Sequence, residues 1–532
     1  MMDQMNSGVY SLIALPTFGV FCIAILWVFL RNNLSKGRWL QVISLGSVAI
    51  SIITFIISTL LLGPLLNDQG AVKTVLLGIR LHIDALSLYF ILVVNIIAAA
   101  ASWNAHAYLQ SPEGQKGFGG PALFLGLMNL FHATMLISVI VDNLVVLWIA
   151  IEATTIASAL LVAYPNHRRS WEAAWKYVII TSTGIILALI GTIFLAHAVS
   201  SGSDTLIWSK LIEYTPKTQN EKSMIFLAFL FILVGYGTKA GLAPMHTWLP
   251  DAHSEAAPPV SALLSGVLLK ASFYAILRYY TMTNVMLGES YHTLINTILL
   301  TVGLFSLVLA VPFILKRNRF KRVLAYHSLE HMGIILFGVG IGMPVALFGA
   351  LLHVLNHAIT KALMFLAYGN ILRSYASAFG DKKLNDEDIS GVLQAMPYTG
   401  MLLILGGLAL VGTPPFNVFM SIWMILWGGF QRTLGLSENG TAGDVHIGFM
   451  IALIVFILST TIIYFGMAHH LNKRVMGSAS FGKKKLPESF ISELAPLFVL
   501  AILIIIMGLW IYPSLAVLLN QSVAIVLHHT MP

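Results

Sequence analysis

The sequence predicts an all-α polytopic membrane protein with about 14 transmembrane helices. Of its 532 residues, 58% are hydrophobic and 10% are charged, which leaves too little polar surface to cover a soluble globule of this size. Apolar runs of about 20 residues, the length that crosses a bilayer as a helix, recur along the whole chain between short polar loops. One membrane domain therefore accounts for the sequence.

The first apolar run extends from near Ser11 to Arg31 and contains the single cysteine, Cys22. No small-residue cleavage site follows it, so we expect a spanning helix and not a removable signal peptide. One thiolate cannot form an intrachain disulfide or hold an iron–sulfur cluster, which needs several. We therefore expect this chain to carry no cofactor and no redox centre.

The net charge of +8 comes from the loops, and their pattern predicts the topology. Odd-numbered loops are basic, whereas even-numbered loops carry few charges. The basic loops contain Arg31, Lys36 and Arg38; His167, Arg168 and Arg169; Lys316, Arg317, Arg319, Lys321 and Arg322; and Lys473, Arg474, Lys483, Lys484 and Lys485. The positive-inside rule places these loops in the cytoplasm and both termini on the outer side. Because topology explains the basic charge, we expect no nucleic-acid partner.

Two proline-rich stretches predict broken helices. Residues 241–259 contain Pro244, Pro250, Pro258 and Pro259, and residues 412–416 contain Pro414 and Pro415. Proline removes a backbone donor and clashes with the preceding turn. A break at membrane depth is tolerated only where protein or a water-filled cavity satisfies the freed backbone, as in ion-translocating folds. The alternative is that these prolines simply lie near helix ends.

Ionisable residues inside the apolar runs are the most informative feature, because each costs about 3 kcal/mol at the bilayer centre unless it is paired or hydrated. Five predicted helices carry them near mid-span. They are Glu152, Lys239, Lys270, Glu330 with His331, and Lys361. Any one of them can be a structural ion pair between helices, but five together indicate a path for protons.

The histidine spacing extends this set. His353, His357 and Lys361 are four residues apart, which places them on one helix face, and His327 and His331 form a second pair. Because histidine titrates near neutral pH, such a stripe is typical of a proton relay. The alternative is a zinc ion shared by two histidines at this interval. The run HVLNH has no glutamate in its second position, and a nearby lysine would repel the cation, so we predict no metal site.

At these residues the sequence resembles a known family. GYGTKAGLAPMHTWLPDAHSEAAPPVSALLSGVLLK, residues 235–270, closely resembles the signature of the antiporter-like subunits shared by complex I, Mrp-type sodium/proton antiporters and membrane-bound hydrogenases. Further motifs look like component F of the hydrogenase-4 and formate hydrogenlyase group. These motifs are LHIDALS (81–87), WIAIEATTIASALLV (148–162), EAAWKYVIITSTG (172–184), LNHAITKALMF (355–365) and GTPPFNVF (412–419).

The resemblance implies a fold of about fourteen helices with two inverted five-helix repeats, each containing a broken helix. It divides the chain into N-terminal helices (residues 1–120), an antiporter-like proton-translocating core (121–425) and C-terminal helices (426–532). In this family the fifth-helix glutamate, here Glu152, pairs with the seventh-helix lysine, here Lys239. Lys270 looks like the relay lysine of the eighth helix. His331 and Lys361 fall on relay positions that lead toward a second half-channel.

We expect the remaining buried or motif residues to support the relay. These are Lys176, His246, His327, Glu330, His353 and His357. The pair of Glu152 and Lys239 makes sense as a switch, because a nearby carboxylate stabilises the ammonium form of lysine, and separating the two favours release of the proton. A neighbouring subunit would perturb this pair. The first half of the line, from Glu152 through Lys239 to Lys270, is complete.

One position departs from the family. Antiporter-like subunits usually carry a glutamate or lysine on the twelfth helix in a context like SEFM, where this chain reads SIWM with Ile422 at the charged position. No Asp, Glu, Lys or Arg occurs between Pro397 and Gln431. The second half of the line therefore ends at Ile422 without a titratable group, and a hydrated path through Asn417 is the alternative.

These observations predict a proton-translocating membrane subunit of a multi-subunit respiratory or hydrogenase-type oxidoreductase in the inner membrane of a prokaryote. The redox chemistry would belong to other subunits, so this chain would be a non-catalytic membrane subunit. Its expected partners are other membrane subunits, a peripheral soluble module, lipid, and protons or Na⁺. The alternatives are an Mrp-like cation/proton antiporter subunit, the ion-coupled membrane partner of an inorganic-carbon uptake complex, and a structural subunit whose buried charges only lock helices together.

Overall fold

The computed structural model describes residues 2–33, 36–68, 71–199, 206–316, 319–379, 388–435, 446–478 and 485–528. Within these ranges thirteen helices are long and apolar enough to cross a membrane. The predicted all-α polytopic membrane fold is therefore confirmed. Two of the basic-loop residues named above, Lys483 and Lys484, lie outside the described residues, as does Arg317.

The helices follow one another with short connections. The first half contains α1 (Met2–Asn33), α2 (Lys36–Leu60), α3 (Leu62–Asp68), α4 (Ala85–Gln110), α5 (Pro112–Gln115), α6 (Gly120–Ile140), α7 (Leu144–Ala163), α8 (Arg168–Ala198), α9 (Trp208–Leu211), α10 (Gln219–Lys239) and α11 (Leu249–Glu255). The second half contains α12 (Pro258–Leu263), α13 (Leu269–Leu287), α14 (Glu289–Leu315), α15 (Phe320–Ile341), α16 (Pro344–Phe379), α17 (Val392–Ala395), α18 (Pro397–Leu410), α19 (Asn417–Thr433), α20 (Ile447–Val475), α21 (Ala495–Leu509) and α22 (Pro513–Leu527). The boundary predicted at residue 425 falls within α19.

A small β-hairpin, which the sequence did not predict, precedes α4. Strand β1 (Val72–Leu76) pairs antiparallel with β2 (Ile79–Ile83). Leu77 and Gly78 both have positive φ angles in the two-residue turn, as the twist of a tight hairpin requires. The backbone of Asp142, after α6, donates to the carbonyl of Arg80 in β2. We call this end of the bundle the hairpin side, and the end that carries residues 164–167, Lys316 and Arg319 the basic side.

Both predicted helix breaks are confirmed. Helix α10 ends at Lys239 and α11 begins at Leu249, while α18 ends at Leu410 and α19 begins at Asn417. A glycine in the left-handed region follows each of the two helix ends: Gly241 has φ +76° and Gly412 has φ +74°. Glycine adopts this conformation without the steric penalty of a Cβ, which is why it commonly ends helices.

The helices that carry most of the predicted relay residues form the centre of the bundle. The most apolar stretch of the spans Pro258–Leu287 and Pro344–Phe379 is buried throughout, whereas only 22% of the corresponding stretch of the first span, in α1, is buried. Peripheral helices present apolar side chains to their surroundings, and the central helices contact other helices all round. Lys270, His331 and Lys361 therefore lie where only protein groups or trapped water can form hydrogen bonds with their side chains.

Candidate functional site

Glu152 and Lys239 belong to one polar cluster between α7, α8 and α10. The carboxylate of Glu152 accepts hydrogen bonds from Ser182 Oγ at 2.5 Å and from Thr155 Oγ1 at 3.2 Å. Lys239, the last residue of α10, is fully buried, and its Nζ donates to the Ile151 carbonyl and to Thr155 Oγ1. We call Glu152, Thr155, Ser182 and Lys239 the first cluster.

Thr155 stands between the two charged groups, where the family resemblance implied a direct pair. Its hydroxyl accepts from Lys239 and donates to Glu152, so a single O–H group joins ammonium to carboxylate. Among the residues that the structure describes, no ion pair links Glu152 directly to Lys239. Thr155 follows Glu152 by three residues and so shares its helix face, which is the signal in the sequence that could have identified it.

Glu152 also lies beside the surface of the chain. Ile149 and Ile156, one turn to either side of it on α7, are 52% and 63% exposed. Glu152 itself is partly buried. A neighbouring protein or lipid that packs on this face would therefore contact the helix turn that carries the carboxylate.

Lys270 belongs to a separate cluster on α13, α15, α16 and α19. A π-helical turn, Leu264–Leu268, precedes it; such turns are frequent at functional sites. The Nζ of Lys270 donates to the Ser265 carbonyl at 2.5 Å and lies 2.8 Å from Nδ1 of His357. The ring of His357 stacks on that of His331, with centroids 4.5 Å apart.

The line continues from His331 to α19. Nδ1 of His331 lies 2.8 Å from Nε2 of His353, whose Nδ1 lies 2.9 Å from Ser421 Oγ. Lys270, His357, His331, His353 and Ser421, which we call the central line, are all fully buried. Among the described residues, the Nε2 atoms of His331 and His357 have no hydrogen-bond partner.

The end of the central line lies beside the position where a charge was expected. Ile422 is partly exposed, whereas the adjacent Ser421 points inward to His353. Ser421 also accepts from Asn356 Nδ2 at 3.2 Å, and the same nitrogen donates to the Asn417 carbonyl at 2.7 Å. The line thus ends on neutral hydroxyl and amide groups. The sequence analysis did not single out Ser421.

Lys361, His327 and Glu330 lie beside the central line without bonding to it. The Nζ of Lys361 donates to the Leu324 carbonyl and lies 4.9 Å from the centre of the Phe365 ring. His327 Nδ1 lies 2.7 Å from a carboxylate oxygen of Glu330. The ring centroid of His327 is 6.3 Å from that of His331.

Three residues in and beside the central line could in principle bind a metal ion, the alternative considered for the histidine pairs. Ligand atoms of His327, Glu330 and His331 lie within 4.8 Å of one another. However, Glu330 already bonds His327, and the ammonium of Lys361 bonds Leu324, three residues before His327 on the same helix. A nearby positive charge opposes the binding of a metal cation.

The two clusters are not hydrogen-bonded to each other among the described residues, although the sequence suggested an unbroken path from Lys239 to Lys270. Trp248 and His253 lie between the first cluster and Lys361. Trp248 Nε1 donates to the Thr238 carbonyl next to Lys239, and its ring centroid is 5.9 Å from that of His253. The His253 ring is 6.0 Å from Phe365. His253 is fully buried, and its Nε2 has no hydrogen-bond partner among the described residues. The sequence analysis did not single out His253, although it lies in the DAHSE segment of the family signature.

The last two predicted supporting residues lie apart from the central line. His246 is buried in the break between α10 and α11, and its Nδ1 has no hydrogen-bond partner. Lys176 is 48% exposed and forms ion pairs with Glu172 at 2.7 Å and Asp251 at 3.4 Å. Lys176 therefore belongs to a surface network on the basic side.

Comparison with known proteins confirms the family that the sequence motifs resemble. The family described as "NADH:quinone oxidoreductase/Mrp antiporter, TM" matches residues 141–437, a range that contains every residue of both clusters. A hydrogenase-4 component F homolog of Methylacidiphilum infernorum is 36% identical over 392 residues, which are 72% of this chain and 79% of that protein. NADH-quinone oxidoreductase subunit N of Desulforudis audaxviator is 30% identical over 449 residues, 81% of this chain and 82% of that protein.

The fold also matches solved structures. A chain of the membrane-bound sulfane sulfur reductase, an archaeal respiratory membrane complex, superposes with a TM-score of 0.80 at 21% identity and covers 98% of this chain and 97% of its own length. At this identity the likeness concerns the fold alone. It extends over nearly all of both chains, including the helices outside residues 141–437.

Proposed function

This chain belongs to the family of antiporter-like membrane subunits of the complex I, Mrp and membrane-hydrogenase type, and on that premise we propose that it relays protons through its two buried clusters in the inner membrane of a prokaryote. One observation supports this most strongly. The central line joins four helices through a lysine, three histidines and a serine, all fully buried.

The energetic cost of the central line supports a functional role. Burying ionisable groups at membrane depth is expensive, and apolar side chains would hold the helices together as well or better. Imidazole can accept a proton on one nitrogen while it releases another from the second. A row of imidazoles with free nitrogens is therefore suited to passing protons, whereas a structural ion pair needs matched opposite charges. The central line contains no carboxylate.

The first cluster supports a switch. In its present arrangement Thr155 transmits the influence of Glu152 to Lys239 through one hydroxyl. If Glu152 moves, the ammonium loses part of its stabilisation and the proton is released more readily. Glu152 lies beside the exposed Ile149 and Ile156, so a neighbouring membrane subunit packed there would control the switch. A peripheral module of the same complex would supply the energy.

The experiment is proton uptake by vesicles that contain the purified complex. Lys270→Met keeps the length and apolar stem of the side chain but removes the charge. We expect it to abolish uptake per turnover while assembly survives. The control is Lys217→Met, because Lys217 is exposed in a loop. Full uptake by assembled Lys270→Met complexes would refute the proposal.

A second function is favoured by the neutral end of the central line. Because Ser421 and Ile422 offer no titratable group on α19, the chain can instead serve as an Mrp-like cation/proton antiporter subunit or as the ion-coupled partner of an inorganic-carbon uptake complex. Identification of the co-purifying subunits separates these functions. Hydrogenase-type or quinone-reducing subunits support the first, and their absence supports the second.

A further inference from the structure

A third group of buried charges lies at the hairpin side, outside both clusters. It consists of His82 in β2, Asp84 before α4, Asp142 between α6 and α7, and Arg278 in the middle of α13. All four are at most 8% exposed. They come from three separate parts of the chain, and the proposed relay uses none of them. We call them the hairpin-side cluster.

Each carboxylate of this cluster has defined partners. Arg278 binds Asp84 with two parallel hydrogen bonds, Nη1 to Oδ2 at 2.7 Å and Nη2 to Oδ1 at 2.6 Å. Asp142 accepts from the backbone N of Ser209 at 3.1 Å and from its Oγ at 2.7 Å. Asp84 is therefore paired with a cation, whereas Asp142 is held by neutral donors.

His82 lies between the two carboxylates without touching either. Its Nε2 is 3.9 Å from Asp84 Oδ2, and its Nδ1 is 4.0 Å from Asp142 Oδ2. Nδ1 is buried and has no hydrogen-bond partner. The ring packs against Trp208, with centroids 4.6 Å apart. Both ring nitrogens thus face a carboxylate at slightly more than hydrogen-bond distance.

The charges of the cluster do not balance while His82 is neutral. Arg278 offsets Asp84, whereas within the described part of the chain no lysine or arginine forms an ion pair with Asp142, whose buried charge is costly. A proton on His82 would cancel it, and imidazolium carries an N–H on both nitrogens, one for each carboxylate. The cluster is therefore one proton short of neutrality, and His82 is the group placed to take that proton.

Burial makes the proton on His82 easy to lose. Desolvation lowers the pKa of His82 below its usual value; Asp84 and Asp142 act against this, while Arg278 and the exposed Lys73 on β1 act with it. A lowered pKa favours the neutral imidazole, so His82 holds a proton less firmly than an ordinary histidine does. This is the behaviour expected of a release site, since a tight site would retain the proton.

Hydroxyl groups connect the cluster toward the central line. Lys270, Tyr274 and Arg278 are four residues apart and share one face of α13. The hydroxyl of Tyr274 accepts from Arg278 Nε at 2.9 Å and lies 2.9 Å from Ser87 Oγ. Ser87 Oγ accepts from Arg278 Nη2 at 2.9 Å and donates to the backbone carbonyl of His82 at 3.4 Å, so it contacts the backbone of His82 and not its ring. The remaining step, from Lys270 to Tyr274, is one helical turn.

We propose that the hairpin-side cluster is where the relay releases its protons, with His82 as the proton-binding residue and the face of α13 that carries Lys270, Tyr274 and Arg278 as the side from which protons arrive. This inference rests on the proposed function. In this proposal the protons leave along α13, so the relay does not need a titratable group at Ile422 on α19. The positive-inside rule places this outlet on the outer side of the membrane.

The test compares proton translocation per turnover in vesicles with the assembled complex. His82→Gln keeps a polar side chain of similar size but cannot take up a proton, and we expect most translocation to be lost. Asp142→Asn removes the unbalanced charge and should also lower translocation. The control is His197→Gln, because His197 is exposed at the C-terminal end of α8 on the same side.

Three results would overturn the inference. Normal translocation by His82→Gln means that the outlet is elsewhere, and loss in Ser421→Ala without loss in His82→Gln places it on α19. If His82→Gln and Asp142→Asn lower only the amount of assembled complex, the cluster is a structural lock. Failure of the proposed function is recognised separately, because Lys270→Met would then also translocate normally.

Discussion

Thr155 shows how a single hydroxyl can determine the behaviour of two charged residues. It bonds Lys239 and Glu152 at once, so the ammonium of Lys239 senses the carboxylate through an orientable O–H group and not by direct contact. A hydroxyl can turn at little cost. In the proposed switch, the position of Thr155 would therefore matter as much as the two charges.

The first prediction concerns this hydroxyl. Thr155→Val keeps the shape but removes the O–H, so Lys239 loses an acceptor in a buried position, which costs about 1–3 kcal/mol. We expect proton uptake per turnover to fall strongly and the complex to remain assembled. Thr155→Ser, which retains the hydroxyl, should keep most of the uptake. Equal uptake by the Val and Ser variants would show that the hydroxyl has no part in transport.

The charged members of both clusters could be located from the sequence, because an ionisable residue in an apolar run stands out. Among the hydroxyl members, Thr155 had a signal in its position three residues after Glu152, whereas Ser182 and Ser421 had none. Serine and threonine are common in membrane helices and usually bond back to their own helix, as Thr154 does to the Ile151 carbonyl. Nothing in the sequence shows that Ser182 and Ser421 also bond to another helix. The roles of all these residues in transport stay predictions.

At the scale of elements, the two breaks were predictable and the hairpin was not. Proline inside an apolar run removes a backbone hydrogen bond and clashes with the preceding turn, so α10 and α18 were expected to end near residues 241 and 412. The turn of the hairpin, Leu77-Gly78, lacks the Asn-Gly or Asp-Gly pair that usually marks a two-residue turn. The π-helical turn before Lys270 likewise has no sequence signal that we recognise.

The second prediction concerns the break between α18 and α19. Gly412→Ala places a Cβ on a residue with φ +74°, where it would also lie 3.0 Å from Ile422 Cδ1. We expect a loss of about 1–2 kcal/mol in the free energy of unfolding, measured by thermal unfolding of the purified complex. Gly448→Ala is the matched control, because open space surrounds that glycine. Equal melting temperatures would mean that the break does not require the left-handed residue.

At the scale of the whole molecule, burial increases toward the helices that carry the central line. Hydropathy located the spans because lipid demands a continuous apolar stretch. It could not show that Lys270 meets His357, 87 residues away, since such contacts depend on how the helices pack. The two inverted repeats remain an expectation, with which the two similarly built breaks agree.

The third prediction concerns the face that carries Glu152. If a neighbouring membrane subunit packs there, a photoreactive thiol reagent attached to Ile156→Cys, in a Cys22→Ser background, should cross-link to that subunit. Leu161→Cys on the same helix is fully buried and should give no cross-link. Attachment of Ile156→Cys only to lipid would place the neighbouring subunit elsewhere and separate Glu152 from it.

The measurement that tests the central line most directly is internal acidification of vesicles by His357→Leu complexes, compared with His469→Leu complexes at equal turnover. His357 joins Lys270 to the stacked histidines, whereas His469 is exposed on α20. We predict normal acidification with His469→Leu and none with His357→Leu. Equal acidification by the two variants would contradict a relay through the central line.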